Sequence, residues 1–196
     1  MYRTSTSTAS GPTYQLITRV NDPITAIWNT NAGNMSQNSV AGTAVGNYAS
    51  GHGPDECIDF ADTTYINYGN VGLNVSAISN TAGVGTGVHT TPQIGASIVQ
   101  SIQFQTGNDS IDRDPLTITL EGTNATGTNL FFGSFWTLLY TGPTGLAPLT
   151  GTRLAWGDLQ NFTNTQPFTS YRMIVTSQRG ADYCTEYAEM HLYGIV

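Results

Sequence analysis

Apolar residues recur at every second position in several short stretches of the chain. Residues 101–105 read SIQFQ, with Ile102 and Phe104 separated by a polar residue. In an extended strand, successive side chains point to opposite faces, so this period places the apolar residues on one face. The stretches LTITL at 116–120 and YRMIV at 171–175 repeat the pattern. We therefore predict half-buried strands in these three places.

The stretch DYCTEYAEMHLYG at 182–194 admits two interpretations. A helix would place four residues on one face: Cys184, Tyr187, Ala188 and His191. Alternation of Ala188, Met190 and Leu192 predicts a strand instead. The strand is favoured because the alternation continues through Leu192 and the neighbouring segments are also β-like.

Long connections rich in Gly, Asn and Thr separate the predicted strands, as at 29–53 and 79–91. Both are longer than ordinary hairpin loops. Many short strands and very little helical signal predict an all-β fold, an antiparallel jelly-roll β-sandwich. Residues 1–13 form a Ser/Thr-rich tail or linker that ends near a Gly-Pro pair, and residues 14–196 have the length of a single domain.

Charge is scarce, and its sign excludes several kinds of partner. Only 10% of the residues are charged, the six basic residues are all arginine, and the formal net charge is −7. Nucleic-acid backbones and anionic lipid surfaces need a basic face, so we predict that the protein binds neither. The most apolar stretch, at 129–142, is interrupted by Gly133 and Ser134, and we predict no membrane insertion. The first 15 residues lack a secretory signal pattern, which is not evidence for the cytoplasm.

Catalytic signatures are absent from the sequence. It contains no G-x-S-x-G, H-E-x-x-H or C-x-x-C motif, and GVGTG at 83–87 does not complete a dinucleotide-binding motif. The neighbouring carboxylates Asp55/Glu56 and Asp112/Asp114 are the residue types of a glycosidase. Closeness in sequence does not establish the geometry that glycoside hydrolysis requires. We predict that the protein is not an enzyme.

Three segments, 56–70, 104–124 and 168–194, together resemble the discoidin-like, galactose-binding-like β-sandwich family. That family includes carbohydrate-binding modules and the coagulation-factor C-type domains. The resemblance spans about Ile17 to Gly194, and five points carry it: Ile58-Asp59 before Thr and an aromatic residue, Arg113-Asp114-Pro115, Trp136, Tyr171-Arg172, and Ala188-Glu189. It implies a jelly-roll fold and a carbohydrate-binding function.

The resemblance also implies a calcium site, where an Asp-containing loop meets the Ala-Glu pair of the last strand. Calcium takes six to eight oxygen ligands, and the carried-over set is Asp59, Ala61, Asp62, Thr64, Ala188 and Glu189. The loop here reads Asp59-Phe60-Ala61-Asp62, whereas the family has Asp-Gly-Asn or Asp-Gly-Asp. Either another ligand completes the site, or calcium is lost and Glu189 hydrogen-bonds the loop.

The same resemblance bears on the two cysteines. If Asp59 and Glu189 converge, Cys57 and Cys184 lie near the same end of the molecule, and a disulfide between them follows as an expectation. Such a bridge would place the protein in an oxidising compartment or outside the cell. The alternative is two buried free thiols.

A sugar presents an apolar face and a rim of hydroxyls, so its site needs an aromatic platform beside hydrogen-bonding side chains. The candidate ligand-binding residues are Trp156, Trp28, His52, His89, Arg153 and Arg113. We expect Trp156 to be the exposed platform and Trp136 to pack in the core. Arg113 and Asp114 either touch a ligand or tie loops together.

Five Asn-x-Ser/Thr sequons are present, at Asn34, Asn74, Asn108, Asn124 and Asn161. They are candidate glycosylation sites only if a eukaryote exports the protein. A chain this rich in Asn and Thr produces several by chance.

The favoured function is that of a non-catalytic extracellular carbohydrate-binding module, stabilised by calcium if that site exists, with glycans or glycoproteins as partners. The alternative is a structural subunit that assembles with copies of itself in a cell-surface layer, filament or virion. The long neutral loops and low charge suit either function. Both locate the protein outside the cell, at a cell surface or on a virion.

Overall fold

Two antiparallel β-sheets pack face to face in the structure, a computed structural model that describes residues 13–196. The predicted tail therefore lies outside the described residues except for Thr13. The strands are β1 Tyr14–Leu16, β2 Ile24–Trp28, β3 Gln37–Asn38, β4 Tyr65–Asn67, β5 Gly87–Thr90, β6 Ile98–Thr106, β7 Pro115–Thr123, β8 Thr137–Pro143, β9 Gln160–Asn161, β10 Ser170–Gln178 and β11 Thr185–Ile195. Short 3-10 turns span Pro54–Ile58, Ile111–Arg113, Gly127–Phe131 and Gly133–Phe135.

The first sheet has the order β1-β11-β6-β9, and the second has the order β3-β2-β5-β10-β7-β8. In the first sheet, β1 pairs with the C-terminal end of β11, and β4 pairs with its N-terminal end. The all-β sandwich predicted from the alternation is confirmed. Within residues 13–196, no helix is long and apolar enough to cross a membrane.

The core between the sheets contains the side chains that the alternation predicted. Ile102 and Phe104 of β6 are fully buried there, as are Ile118 and Leu120 of β7. From β10 the core receives Tyr171, Met173 and Val175. Burial of each such side chain is worth roughly 1.5–3 kcal/mol, which makes this core the main support of the sandwich.

Strand β11 settles the choice between helix and strand at 182–194, because it pairs with β6 along most of its length. The register shifts between Tyr187 and Glu189, as in a β-bulge. Tyr187 and Met190 therefore both reach the core, while Glu189 and His191 face away from it on the outer side of the sheet. This bulge decides which side chains β11 presents outside the sandwich.

The outer face of the second sheet is covered by the loop at 31–36 and by the segment 127–136. Trp136 was predicted to pack in the core, and its side chain is buried, although not between the two sheets. Its ring lies 4.7 Å from the Arg172 guanidinium carbon, outside the core cluster. Arg172 follows the core residue Tyr171, so strand alternation directs it to the outer face.

Candidate functional site

An open cleft lies on the outer face of the first sheet, where β6 and β11 are paired. Gln105 of β6 stands directly opposite Glu189 of β11. The cleft encloses about 140 Å³ and is lined by Phe60, Ala61, Asp62, Gln105, Trp156 and Glu189. Enclosed small-molecule sites usually measure about 300–1,000 Å³, so a ligand here would lie against the surface rather than be engulfed.

Two exposed aromatic rings flank the cleft, with a histidine between them. Trp156 is 41% exposed and Phe60 is 50% exposed. The His191 ring centroid lies 4.6 Å from that of Trp156 and 4.7 Å from that of Phe60. Trp156 matches the prediction of an exposed aromatic residue, and two apolar surfaces are available to one ligand.

The loop that carries Trp156 is fixed to the edge of β6 by backbone hydrogen bonds. Thr106 N donates to Ala155 O at 3.0 Å, and Gly157 N donates to Phe104 O at 2.9 Å. Trp156 itself forms an isolated antiparallel β-bridge with Gln105. The ring is therefore held at a defined position before any ligand arrives, which reduces the ordering cost of binding.

Phe60 is held over His191 by an unusual backbone conformation. Its φ is +64°, in the left-handed region that bulky side chains rarely adopt. Asp59 braces the loop by accepting from Ala61 N at 2.8 Å and from Thr63 Oγ1 at 2.6 Å. Strain of this kind persists only where surrounding contacts enforce it, and it is concentrated at functional sites.

Glu189 supplies a buried carboxylate to the cleft and is only 1% exposed. Its Oε2 lies 3.1 Å from His191 Nε2, whereas its Oε1 has no hydrogen-bond partner. Burial raises the pKa of this carboxyl, and the charge of Asp59 adds to the rise. The contact with His191 and a backbone hydrogen bond from Phe60, in the loop itself, oppose it. A buried acceptor without a partner is costly, so Glu189 is an unusual residue in the lining of this cleft.

The side chains of the predicted calcium set do not form a calcium cage. Both carboxylate oxygens of Asp59 already accept hydrogen bonds from its own loop, and Thr64 is buried against His52. Within residues 13–196, no group of three or more His, Cys, Asp or Glu side chains is placed to hold a metal. Asp62 and Ala61 line the cleft with Glu189, and Ala188 is buried beside it. The carboxylates alone do not make up the six to eight oxygens that calcium needs, and calcium stays a prediction that requires carbonyl and hydroxyl ligands as well.

The predicted arginines lie in ion pairs rather than in the cleft. Arg113 is nearly buried and contacts Asp109, Asp182 and Glu186 at 2.6, 3.1 and 3.0 Å. Arg153 binds the buried carboxylate of Asp114 through two guanidinium nitrogens.

Asp114 also accepts from Arg179 Nε at 3.3 Å. Arg113 and Asp114 are adjacent in sequence and were expected to form one pair, but each pairs with other residues. Arg113 and Asp114 each tie segments of the chain together, in line with the second interpretation. Arg153, which was expected only as a ligand-binding residue, does so through Asp114.

The other three predicted ligand residues also have structural contacts away from the cleft. His52 Nδ1 lies 2.9 Å from Thr64 O. His89 is buried beside Phe131 and Trp136, and burial together with the charge of Arg172 lowers its pKa to about 4. Trp28 packs over Gly46, where a side chain larger than hydrogen would collide with the indole.

The predicted disulfide is not formed, and Cys57 and Cys184 are both buried free thiols. Cys57 belongs to the main core, while Cys184 lies in a separate cluster with Ala49 and Tyr68. The five residues from Cys184 to Glu189 lie almost entirely in extended β11 and span roughly 16 Å. Proximity of Cys57 to Glu189 therefore does not bring Cys184 within the ~7 Å between Cα atoms that a bridge needs. Without the bridge, the cysteines give no indication of an oxidising compartment or of a location outside the cell.

All five sequon asparagines are exposed: Asn34, Asn74, Asn108, Asn124 and Asn161. Exposure is what glycosylation of an exported chain would require. Asn124 is partly engaged, since its Oδ1 accepts from Thr169 N at 2.9 Å. Modification of these residues stays a prediction.

Three residues of the cleft were not among the predicted site residues: Phe60, Gln105 and His191. The departure from the family loop at Phe60 was a usable signal, since an aromatic residue replaces the expected glycine. His191 and Gln105 had a weaker signal, as polar positions on strands whose apolar neighbours face the core. Nothing in the local sequence indicates that these strands pair in this register.

No protein-family profile matches the chain, and no curated protein matches it. Several solved structures are similar to the chain. A family 32 carbohydrate-binding module from Clostridium perfringens NanJ, in complex with galactose, is similar with a TM-score of 0.54 and 12% identity, covering 92% of this chain and 99% of that one. The chitosan-binding module 1 of a Paenibacillus sp. IK-5 chitosanase/glucanase has a TM-score of 0.54 and 16% identity, with the same coverage.

The protein therefore has the discoidin-like, galactose-binding-like β-sandwich fold that the sequence resemblance predicted. Another C. perfringens family 32 module, in complex with GalNAc-β-1,3-galactose, has a TM-score of 0.54 and 9% identity over 91% of this chain and 99% of that one. Some similar modules belong to chains that also contain an enzyme domain, such as a truncated alginate lyase. At these identities the likeness establishes the fold, and the site must carry the function.

Proposed function

We propose that the protein is a non-catalytic carbohydrate-binding module that holds a sugar in the cleft between Trp156 and Phe60. The observation that carries this proposal is the combination of two exposed aromatic rings with the unpartnered, buried Oε1 of Glu189. The similar structures in complex with galactose and with GalNAc-β-1,3-galactose support it by analogy of fold.

The chemistry of the cleft suits a sugar in two ways. The apolar face of a pyranose packs on an aromatic ring, and Trp156 offers such a face at a fixed position. The hydroxyls of the opposite edge need acceptors and donors, which Glu189, Gln105 and Asp62 supply. Because the cleft is shallow and open, it suits a chain end or a side branch of a glycan.

Binding without catalysis follows from the roles of the nearby carboxylates. Glycoside hydrolysis needs two carboxyl groups on either side of the scissile bond, one of them a proton donor. In this cleft the Asp59 oxygens are occupied by their own loop, and Glu189 contacts His191. The proposed module acts by holding glycans outside the cell, and export of the chain is part of the proposal.

A glycan array followed by isothermal titration calorimetry tests the proposal with matched variants. We expect selective binding of one or a few glycans by the wild-type protein and at least a ten-fold loss in Trp156→Ala. Phe132→Ala is the control, because Phe132 is 45% exposed but follows the Gly127–Phe131 turn, on the other sheet. Equal affinity of the Trp156→Ala and wild-type proteins, or no glycan bound at all, would contradict the proposal.

Self-assembly is the second candidate function, and exposed apolar side chains on two long loops favour it. Val40 and Val45 lie on one loop, and Leu73, Val75 and Ile78 lie on the other, all at least 46% exposed. Leu73 N donates to Thr43 O at 2.8 Å, which joins the loops. Light scattering after size exclusion measures this function, since a monomer over a wide concentration range would exclude it.

A further inference from the structure

We propose that the outer face of the second sheet is a dimerisation surface, on which two copies of the protein pack about a two-fold axis. Four large apolar side chains at this face are each at least 45% exposed: Met35, Phe132, Phe135 and Leu138. We call these four residues the apolar patch. Exposed apolar patches that are rimmed by polar residues are typical of protein–protein interfaces.

Three residues of the apolar patch come from the two segments that cover the sheet. Phe135 N donates to Phe132 O at 3.2 Å, so the two phenylalanines lie three residues apart in a 3-10 turn. Side chains at this spacing project from the same side of such a turn. Met35 borders the turn, because the next residue, Ser36, donates from its N to Phe131 O at 2.8 Å.

Leu138 joins the apolar patch from β8. It stands opposite Glu121 of β7, whose carboxylate binds Arg172 on the outer face. Residues that stand opposite each other in an antiparallel pair share a face, so Leu138 also points outward. Thr123, the next outward residue of β7, donates its hydroxyl to Phe135 O at 2.7 Å. Leu138 and Phe135 therefore cover neighbouring positions of one surface.

The turn that presents the two exposed phenyl rings is anchored by its other aromatic residues. Trp136 packs 4.7 Å from the Arg172 guanidinium carbon, and its Nε1 donates to Leu130 O at 3.0 Å. Phe131 packs against His89, with the ring centroids 5.6 Å apart. The exposed rings are therefore held outward at defined positions, which lowers the entropy lost when they enter an interface.

The surface around the apolar patch is polar but uncharged. Segments 23–51 and 122–152 contain no Asp, Glu, Lys, Arg or His, although the chain has a formal net charge of −7. Their exposed polar residues include Asn31, Gln37 and Ser134. An apolar centre within a polar rim, without charge, is the composition of a subunit interface.

The neutral surface favours a second copy as the occupant of this face. A partner selected by opposite charge would find no charged group to bind. Two copies can approach here without the repulsion that their acidic surfaces exert elsewhere. A two-fold axis places the apolar patch on its own copy and one polar rim on the other. A stable interface takes about 800 Å² from each partner, so the rim must contribute to it as well as the patch.

A dimer of this kind leaves both sugar clefts free. The cleft beside Trp156 lies on the outer face of the first sheet, and the two outer faces of a sandwich point in opposite directions. The clefts of the dimer therefore point away from each other. If they bind sugars as proposed above, the dimer bridges two glycan chains, and only this consequence rests on the proposed function.

Sedimentation velocity without any glycan tests the dimerisation surface. Unglycosylated protein is used, because a glycan on Asn34 would cover Met35. We expect the wild-type protein to shift from monomer to dimer between about 1 and 100 µM. Phe135→Asp should weaken the dimer at least ten-fold, since it places a carboxylate in the apolar centre. Val75→Asp is the matched control, because Val75 is 70% exposed on a different loop and the same charge there should leave the dimer unchanged.

A monomer throughout this concentration range would overturn the proposal. An equal or larger loss of self-association in Val75→Asp would also overturn it, since the interface would then lie on the loops. If Phe135→Asp fails to fold by circular dichroism, Leu138→Asp takes its place, and an unchanged dimer in that folded variant contradicts the proposal. Calorimetry with the best array glycan should give the same affinity per cleft in the wild-type and Phe135→Asp proteins. Absence of glycan binding would overturn the proposed function, whereas the dimer is measured independently of it.

Discussion

Arg172 Nε donates to Glu121 Oε2 at 2.7 Å, and neither side chain is exposed to solvent. The same guanidinium donates to Asn34 O at 3.0 Å and to Ser36 Oγ at 2.7 Å. Glu121 Oε1 accepts from Gly33 N at 2.8 Å. One buried ion pair thus fixes the loop at 31–36 to the outer face of the second sheet.

Glu121→Gln should therefore destabilise the protein strongly, because it leaves the Arg172 charge buried without its counter-ion. The expected loss in the free energy of unfolding is about 3–5 kcal/mol. Urea denaturation followed by circular dichroism measures it. Asp158→Asn, at an exposed position, is the control and should change stability by less than about 0.5 kcal/mol. If Glu121→Gln lowers the free energy of unfolding by less than ~1 kcal/mol, Arg172 and Glu121 do not form a buried ion pair.

Glu186 and His89 make the free energy of unfolding depend on pH in opposite directions over the same pH range. Burial and the hydrogen bond with Asp109 raise the pKa of Glu186 from 4.5 to about 7. The folded protein binds this proton more tightly than the unfolded chain, so the contribution of Glu186 is full below pH 4.5 and is lost as the pH rises through 7. Burial and Arg172 lower the pKa of His89 from 6.5 to about 4, so its contribution is full above pH 6.5 and is lost as the pH falls through 4.

Single variants should separate these two contributions. In Glu186→Gln the histidine remains, and the free energy of unfolding should rise with pH between about 4.5 and 6.5. In His89→Gln the glutamate remains, and the free energy of unfolding should fall over the same range. Denaturation series at several pH values measure both slopes. Parallel profiles in the two variants would show that these groups do not control the pH dependence.

Phe60→Asn should weaken sugar binding several-fold without a matching loss of stability. Asn adopts the left-handed conformation of position 60 more easily than Phe does, and the lost ring is half exposed. The relaxed backbone should raise the free energy of unfolding, and the lost ring contacts should lower it. The net change should therefore be no more than about 1 kcal/mol. Calorimetry with the best array glycan and urea denaturation are read on the same samples. Unchanged affinity would remove Phe60 from the site.

Cys57 and Cys184 should be unreactive toward a thiol reagent in the folded protein. Both are fully buried, and burial raises the pKa of each thiol, so little thiolate is present. Two thiols should react once denaturant unfolds the chain. Rapid labelling of the native protein, or fewer than two thiols after unfolding, would contradict the assignment of two buried free cysteines.

Removal of calcium should leave the melting temperature unchanged. Within residues 13–196, no third His, Cys, Asp or Glu side chain joins Asp62 and Glu189 to hold an ion. Differential scanning calorimetry in about 1 mM calcium and again in excess chelator makes the comparison. A rise of about 2–4 °C with calcium would correspond to ~1 kcal/mol of added stability and would support the predicted calcium site.

The sequence predicted the sandwich well because strand alternation directly reports which face is buried. Ile102, Phe104, Met173 and Val175 illustrate this, and all lie in the core. Trp156 was expected to be exposed because it lies between predicted strands, and it is.

Strand alternation could not predict the contacts between side chains that lie far apart in the sequence. Arg113 was paired with Asp114 because the two are adjacent, whereas the fold brings Glu186 to Arg113 and Arg153 to Asp114. The disulfide failed for a similar reason, since a short separation in sequence becomes a long distance along an extended strand. His191 entered the site only through the pairing of β11 with β6.

The register shift between Tyr187 and Glu189 has a consequence for engineering. Between this bulge and Tyr193, core positions and outer-face positions alternate along β11, and the outer-face positions stand opposite those of β6. Gln103, Gln105, Glu189 and His191 can therefore be randomised together while Phe104, Met190 and Leu192 keep the sandwich intact. A library built on these four positions would sample new ligand specificities on an unchanged scaffold.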